Sequence, residues 1–460
     1  MLDPGPPRWF LGRDCAGTAI RPADPYRAAD KVEASIRKQS VRLGSTIANH
    51  WGIEGYEGRG LACIALHGRN GVRQGTELMK NAAAGALDLL ADAELDAKLS
   101  AIRADMLDEY MQPHGDPWIV GFSGGKDSTV VTHLVFEMLL ALPPSNRSRP
   151  IHLVSNDTLV ESPLVMGHIE TVQKEIKGAA EAWRLPLEVV TTTPEPSATF
   201  WVNIIGRGYP SPNRSFRWCT DRMKIQPTSR YIRGQVAASG EVVLLLGVRR
   251  DESATRAGSV ARYDNGARLN RHNDLVGCMV YRPIVDLTTD DVWEFLASND
   301  PPWGGSHRAL IKLDRDADGG ECPVVTSKSD APSCGSTSSR FGCWTCTVVE
   351  KDRSLEGFVE AGFSEFGPLI EFRDWLYDIR NEPLRRMARR RDGRVTVTNE
   401  GTFVPGPFTL GTRMEILDRL LTLQSSVERV LITDVEVERI RTIWASDAAA
   451  SAKHWAEEVR

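Results

Sequence analysis

The chain has 460 residues, which at about 150 residues per domain allows two or three domains. Hydrophobic residues make up 41% and charged residues 25% of it, as in soluble globular proteins, which excludes a disordered or fibrous chain. The formal net charge of −5 excludes a chain that is basic throughout, so any contact with DNA must come from local patches.

The N-terminal sequence MLDPGPPRWF has no basic stretch followed by an apolar run and therefore does not resemble a secretory signal. No apolar stretch approaches the roughly 18 residues that span a bilayer. We therefore expect a cytoplasmic protein without a membrane partner. Its eight cysteines are then expected to be metal ligands or catalysts rather than disulfide partners.

The first 75 or so residues show no sustained period and predict no regular element. Helical spacing of leucine and isoleucine then runs from Gln74 to Gln112 and stops at the break Pro113–Gly115. Residues 1–112 are therefore expected to form a partly helical N-terminal extension.

Strands and helices alternate between residues 113 and 300, which indicates a parallel sheet with right-handed crossovers. The continuous apolar strands fit a sheet that is covered on both faces, so we predict an α/β domain with a Rossmann-like parallel sheet. A further strand is expected at Tyr281–Ile284, followed by a capped helix at Asp290–Leu296. The other predicted strands are Pro117–Phe122, Ile151–Asn156, Leu187–Thr192 and Glu241–Val248, and the other predicted helices are Thr129–Leu142 and Pro163–Arg184.

Residues 301–347 are rich in Gly, Ser, Pro and Cys and have little periodicity, so we expect a loop that a ligand orders. Helical spacing returns at Phe358 and continues toward Arg460, which predicts a helical region over residues 348–460. This region contains seven arginines between Arg380 and Arg394, against two acidic residues. These arginines are candidates for binding DNA phosphates, an acidic partner protein, or only solvent.

The segment SGGKDS lies between the first strand and the first helix of the α/β domain. Paired glycines let the backbone turn tightly and approach a ligand. Free N–H groups at a helix start, with about half a positive charge from the helix dipole, favour an anion. The lysine adds a mobile cation and the serines offer hydroxyl donors, so the segment is predicted to bind phosphate, and a glycine turn before a helix cap is the alternative. Its members are Ser123, Gly124, Gly125, Lys126, Asp127 and Ser128.

Carboxylates and arginines near this loop are further candidates. Asp127 is a candidate for orienting the loop or holding Mg²⁺, and Asp157, at the end of the second strand, for the ligand site or for a turn. The segment Gly247–Arg256 begins at the end of the fourth strand, and its arginines suit a polyanionic ligand. These arginines are Arg249, Arg250 and Arg256.

Two groups of cysteines carry candidate chemistry. Cys219 lies in Arg217–Lys224, where three cations lower a thiol pKa from about 8.5, so it is a candidate persulfide carrier or a structural cysteine near the ligand. Four further cysteines, separated by 11, 8 and 2 residues, lie in the loop 301–347. Four thiolates hold either zinc or a [4Fe-4S] cluster, and the spacing does not choose between them. They are Cys322, Cys334, Cys343 and Cys346.

SGGKDS resembles the SGGxDS loop of the PP-loop superfamily of ATP pyrophosphatases, which bind the β,γ-pyrophosphate of ATP there and release it whole. With the downstream segments in order, the chain resembles the PAPS reductase-like branch of that superfamily over residues 113–300. Within the branch it is similar to the DndC-type sulfurtransferases of bacterial DNA phosphorothioation, and the Ssp system uses a similar subunit. The segments that carry this similarity include Asp157–Glu161, Phe216–Lys224 and Arg340–Thr347.

The resemblance implies an adenine nucleotide α-hydrolase type of fold, ATP and Mg²⁺ as ligands, and a [4Fe-4S] cluster on the four cysteines. It implies cleavage of ATP to AMP and pyrophosphate to activate a DNA backbone phosphate for sulfur insertion. A cysteine desulfurase would supply the sulfur, and other Dnd or Ssp proteins would be partners that help to contact DNA. The residues expected to act in catalysis are Lys126, Asp127, Cys219, Arg249 and Arg250, with residues 123–128, Asp157 and Arg256 binding the nucleotide.

Four alternatives stay open. A reductase of adenylyl sulfate or its 3′-phosphorylated form typically carries a Glu-Cys-Gly-Leu-His motif or adjacent cysteines, and this sequence has neither. The small subunit of sulfate adenylyltransferase shares the Arg-Arg-Asp-Glu segment but has no need for four clustered cysteines. A tRNA thiolase and a non-enzymatic nucleotide-sensing scaffold of a DNA-defence complex are the other two.

Overall fold

The computed structural model describes residues 93–252, 254–263, 266–317, 342–391, 393–397, 401 and 403–458. Several predicted features lie outside the described residues: nearly all of the N-terminal extension, Cys322, Cys334 and the side chain of Arg256. No helix among the described residues is both long and apolar enough to cross a membrane.

The described strands form one six-stranded sheet and one two-stranded hairpin. The strands are β1 (Trp118–Gly121), β2 (Ile151–Asn156), β3 (Leu187–Thr192), β4 (Val242–Leu245), β5 (Leu269–Arg271), β6 (Cys278–Tyr281), β7 (Thr396–Val397) and β8 (Phe403–Val404).

Eleven α-helices are described, together with π-helical turns at Val202–Gly206 and Thr220–Ile225. The helices are α1 (93–110), α2 (Lys126–Ala141), α3 (Pro163–Ala182), α4 (Gln226–Ser239), α5 (Ala254–Tyr263), α6 (Thr289–Ser298), α7 (Arg308–Asp316), α8 (Arg353–Glu360), α9 (Gly367–Ile379), α10 (Leu410–Ser426) and α11 (Asp434–Glu458).

The large sheet has the strand order β3-β2-β1-β4-β6-β5. The strands from β3 to β6 in that order run parallel, and β5 pairs with β6 in the antiparallel direction. Side chains of β1 alternate between two buried apolar clusters, with Trp118 and Val120 in one and Ile119 in the other. The sheet is therefore covered on both faces, and the predicted α/β fold class is confirmed.

Most predicted elements of the sheet are found, but some boundaries differ. β2 and β3 have the predicted ends, whereas the strand expected at Tyr281–Ile284 lies earlier and ends at Tyr281. Pro283 explains the difference, because proline has no N–H to donate to a neighbouring strand. The capped helix is α6, whose N-cap Thr288 forms a reciprocal capping box with Asp291.

The N-terminal helix α1 is fixed to the sheet by apolar and charged contacts. Leu99 and Met106 are buried in the core. Asp105 accepts a hydrogen bond of 2.6 Å from the hydroxyl of Tyr281 and forms a 2.8 Å ion pair with Arg268. Arg268 also pairs with Asp108 at 2.7 Å, so one cation holds two turns of the helix.

The C-terminal helices pack against the segment 199–209, which follows β3 in the chain and contains the first π-helical turn. The indole N–H of Trp201 donates to Leu431 O at 2.7 Å, and that of Trp444 donates to Ile205 O at 2.9 Å. Residues from α1 to α11 share one apolar cluster. The C-terminal region contains the helices α8 to α11, and the hairpin β7–β8 lies between α9 and α10.

Candidate functional site

The SGGKDS segment forms the turn between β1 and α2. Gly124 has a φ of +75°, a conformation that favours glycine. A Cβ atom at this position would lie 2.4 Å from Cγ1 of Ile169 on α3, which is inside van der Waals contact. Both observations require glycine at this position, and the loop backbone packs directly on α3.

Helix α2 begins at Lys126, with Gly125 as its N-cap. Because glycine has no side chain, this N-cap residue supplies no side-chain cap to the first-turn amides. Such amides, at the positive end of a helix dipole, are suited to an anion. The ammonium of Lys126 lies 5.6 Å from the ring centre of Trp293 on α6, within reach of the same helix start.

The hydroxyl of Ser128 is engaged within the loop. It accepts the N–H of Ser123 at 3.2 Å and donates to Gly125 O at 2.9 Å. The Ser123 hydroxyl lies 3.1 Å from it. Ser128 therefore stabilises the turn, and the expected phosphate contacts of the two serines stay predictions.

Asp127 and Arg249 form a buried ion pair below the loop. The Asp127 side chain is 4% exposed and that of Arg249 is 1% exposed. Arg249 also donates to the hydroxyl of Thr289 at 3.2 Å. Because both oxygens of the carboxylate lie against the guanidinium, the contacts support loop orientation as the role of Asp127. They place the Arg249 guanidinium inside the protein, and its catalytic role stays a prediction.

The end of β4 lies against the first turn of α2. A Cβ atom at Gly247 would lie 2.8 Å from the carbonyl carbon and oxygen of Asp127, so the two backbones are in contact. The side chain of Arg250 is 42% exposed and pairs with Asp286. The C-terminal ends of β1 and β4 therefore meet at the glycine loop, where ligands bind in open α/β sheets.

Asp157, at the end of β2, organises a tight turn. Its carboxylate accepts the N–H of Leu159 at 2.7 Å, and Leu159 has the unusual φ of +65°. Burial raises the pKa of Asp157, the bond from Leu159 opposes this, and the charges of Glu161 and Glu170 add to the increase. The turn role is thus observed, and the nucleotide role stays a prediction.

The same turn joins two segments that are distant in the sequence. Glu161 pairs with Lys224 at 3.2 Å and accepts the hydroxyl of Thr158 at 3.0 Å. Thr158 Oγ1 lies 3.4 Å from the Sγ atom of Cys343, 185 residues away in the chain. Glu161 and Cys343 also form an antiparallel bridge. No local signal in the sequence predicts that these segments meet.

The Cys343–Cys346 pair therefore lies at the same sheet edge as the glycine loop. Its turn is closed by the N–H of Cys346, which donates to Cys343 O at 2.9 Å. Arg373, fully buried, donates to Cys346 O at 2.8 Å and to Glu350 O at 2.6 Å. The turn is thus held rigidly by α9.

Burial and the charge of Glu161 raise the pKa of the Cys343 thiol. A thiolate at this position needs a compensating cation, which fits a thiolate-bound metal or cluster. Among the described residues, no three or more His, Cys, Asp or Glu side chains form a group that could hold a metal ion, and Cys322 and Cys334 lie outside those residues. The four-cysteine site therefore stays a prediction, and two of its four cysteines lie among the described residues.

Cys219 is half-buried and directly precedes the π-helical turn Thr220–Ile225. The same turn carries Lys224, the partner of Glu161, so the thiol belongs to the same sheet edge. π-Helical turns are rare and are frequent at functional sites. The persulfide role of Cys219 stays a prediction.

Most arginines of the predicted basic patch form hydrogen bonds or ion pairs within the protein. Arg380 and Arg386 donate to backbone carbonyls, and Arg385 and Arg391 pair with Glu415 and Asp447. The exposed Arg389 and Arg390 donate to the neutral groups Gly393 O and Thr396 Oγ1. Structural roles thus account for much of this charge run, and contact with DNA stays a prediction.

Known proteins resemble this α/β core. A family model described as phosphoadenosine phosphosulfate reductase domain matches residues 117–349, just over half of the chain. An uncharacterized protein of Methanocaldococcus jannaschii is 25% identical over 187 residues, which are 41% of this chain and 32% of that protein. The chain thus aligns with about a third of the length of this curated relative.

Two solved structures are similar to part of this chain at low identity. A phosphoadenylyl-sulfate reductase from Candida auris is 12% identical, with a TM-score of 0.29 over 45% of this chain and 85% of that one. The U34-tRNA thiolase of Methanococcus maripaludis, solved with its [4Fe-4S] cluster, is 12% identical, with a TM-score of 0.28 over 48% and 73%.

Proposed function

The chain belongs to the phosphoadenosine phosphosulfate reductase domain family, and we propose that it is an ATP pyrophosphatase that activates a DNA backbone phosphate for sulfur insertion. Family membership confirms the resemblance to the PAPS reductase-like branch of the PP-loop superfamily. The narrower resemblance to DndC-type sulfurtransferases supports the DNA substrate.

The observation that carries the proposal is the glycine loop itself. Its N-cap residue Gly125 supplies no side-chain cap, its glycine conformation is enforced by contact with α3, and it contains the cation of Lys126. Such a loop suits the departing pyrophosphate of ATP.

In the proposed reaction, ATP lies across the C-terminal ends of β1, β2 and β4. An oxygen of the DNA phosphate attacks the α-phosphorus, the bond to the β-phosphate oxygen breaks, and pyrophosphate leaves toward residues 123–128. A persulfide from a desulfurase then attacks the activated DNA phosphorus and releases AMP. A thiol finally cleaves the sulfur–sulfur bond, which leaves the phosphorothioate on DNA.

This chain contributes mainly position and charge, as is usual for phosphoryl transfer. Lys126 neutralises the leaving group, the Asp127–Arg249 pair holds the loop, and Cys219 is the proposed carrier of the persulfide. Mg²⁺ supplies further neutralisation when it is bound with ATP. A [4Fe-4S] cluster held by Cys343, Cys346 and the two cysteines outside the described residues would supply redox chemistry, with zinc as the structural alternative.

The test is an anaerobic assay with labelled ATP, a cysteine desulfurase, cysteine and DNA. We expect AMP and pyrophosphate in equal amounts and phosphorothioate in the DNA. Lys126→Ala should lower pyrophosphate release by about 100-fold or more, since an active-site charge contact is removed. Lys177→Ala, which removes an exposed lysine of α3, is the matched control. Pyrophosphate release that is unchanged in Lys126→Ala would contradict the assignment of the loop.

A reductase of adenylyl sulfate or its 3′-phosphorylated form is the second candidate, favoured by the name of the family. The absence from the sequence of adjacent cysteines and of the Glu-Cys-Gly-Leu-His motif speaks against it. Incubation with either sulfonucleotide and a dithiol decides the matter. Release of sulfite without any AMP from ATP would replace the first proposal with this one.

A further inference from the structure

An aromatic and cationic surface lies beside the segment that leads to Cys219. The surface is formed by residues of the segment 197–222 and of the region after α9. The proposed reaction assigns no role to these residues. We call this surface the ledge, and its members are Arg207, Tyr209, Phe216, Arg222, Arg391 and Arg439.

The aromatic part of the ledge is a cluster of three rings. The ring of Phe216 lies 6.1 Å from that of Tyr209 at an interplanar angle of 53°, and the ring of Tyr209 lies 5.7 Å from the buried Trp218 at 77°. The guanidinium of Arg222 lies over Tyr209 at 5.4 Å and donates to its hydroxyl at 3.3 Å. The cluster is open to solvent at one end, because Phe216 is 39% exposed. The exposed ring of Phe216 therefore offers an aromatic surface on which a base can stack.

The exposed Phe216 is held in place by a structured turn. The side-chain oxygen of Asn213 accepts the N–H groups of Ser215 and Phe216, both at 2.9 Å. The backbone of Phe216 also pairs with that of Asn213. A turn bonded in this way keeps the phenyl group at the surface, three residues before Cys219, although burial would be favourable.

The positive charges of the ledge are only partly neutralised by carboxylates of the described residues. Arg207 donates to Asn203 Oδ1 at 3.0 Å. Burial, and then the positive charges of Arg222, Arg391 and Arg439, lower the pKa of Arg207. Of the carboxylates in the described part of the chain, only Asp447 forms an ion pair with any of these four arginines, and it also pairs with Arg413. Like charges gathered in this way are favourable when an anion binds between them.

We propose that the ledge binds a nucleic-acid strand, with its phosphates on the arginines and one unstacked base on Phe216. An acidic peptide would satisfy the arginines but would leave the exposed ring of Phe216 without a planar partner. This inference rests on the proposed function for the identity of the strand, which is the DNA that presents its phosphate to the site beside Cys219.

The test measures binding of a fluorescent single-stranded oligodeoxynucleotide to the full chain, by anisotropy at several salt concentrations. Arg439→Glu should weaken binding by about tenfold at low salt and lower the salt slope by about 1, because one phosphate contact is lost. Phe216→Ala should weaken binding by about tenfold with an unchanged salt slope, because stacking carries no charge. Arg441→Glu, an exposed arginine on the same helix, and Trp183→Ala, an exposed tryptophan after α3, are the matched controls.

Three results would overturn the proposal: no binding by the parent chain at low salt, equal binding by all four variants, or competition by poly-glutamate as effective as that by unlabelled oligonucleotide. The ATP assay is independent of this one. If the parent chain makes AMP from ATP but the ledge variants bind the oligonucleotide as well as the parent does, the proposed function stands and the ledge proposal fails. If the ledge variants lose binding but the parent chain makes no AMP, the ledge proposal stands and the proposed function fails.

Discussion

Gly124 meets two separate demands at one position. Its φ of +75° is unfavourable for any residue with a Cβ atom, and that atom would collide with Ile169. The sequence alone predicts the first demand, because a paired glycine before a helix indicates a tight turn. The second depends on the packing of α3 and could not be predicted.

We expect Gly124→Ala to lower the free energy of unfolding by about 2 kcal/mol and to abolish pyrophosphate release, because the loop must shift away from α3. Urea denaturation and the ATP assay measure the two effects. Gly167→Ala is the control, since a Cβ atom there meets no atom within 4 Å and α3 should gain about 0.5–1 kcal/mol. A Gly124→Ala protein as stable and active as the parent would contradict the strained-loop description.

At the scale of elements, buried polar contacts join helices that the sequence treats separately. His133 on α2 and His307 before α7 lie 3.2 Å apart between ring nitrogens, and His133 lies 3.2 Å from Glu137. Because the carboxylate only accepts, a neutral His133 donates to it and accepts from His307. Nothing in the apolar helix pattern around His133 indicates this chain of contacts.

This histidine pair predicts instability in acid. Burial, and then the charges of His133 and His168, lower the pKa of His307 to about 4 from the ordinary 6.5. The unfolded chain therefore binds the proton more readily, so the stability present above pH 6.5 is lost as the pH falls toward 4. Denaturation midpoints measured across that range should fall less steeply in His307→Gln, whose amide N–H still donates to His133. Equal slopes in both proteins would show that other groups govern the acid response.

The strands and helices of the sheet were predictable because their patterns are local: β2 and β3 have the expected ends. The junction of Glu161, Lys224 and Cys343 was not, since it joins segments separated by most of the fold. The basic patch was also not predictable in this respect. A high density of arginines in the sequence does not reveal which of them donate to backbone carbonyls of the protein, as Arg386 does.

For the whole molecule, the apolar core continues from α1 to α11, and the C-terminal helices support the segment 199–209, which precedes the candidate thiol in the chain. Trp444 is one such support, through its bond to Ile205 O. We expect Trp444→Phe to lower the free energy of unfolding by about 1 kcal/mol and to speed amide hydrogen exchange over residues 199–206. Trp183→Phe, at a 58% exposed position, should change neither quantity. Unaltered exchange in Trp444→Phe would mean that α11 does not restrain the segment.

The π-helical turn Thr220–Ile225 has one further consequence, which concerns insertions and deletions. A π turn holds one residue more than the α-helical turn that it replaces. Excision of a single residue there would restore ordinary helical winding and rotate everything on the N-terminal side by about 100° about the axis. Cys219 would then face a different direction while Lys224 kept its place. The length of this turn therefore determines the direction in which the Cys219 thiol points.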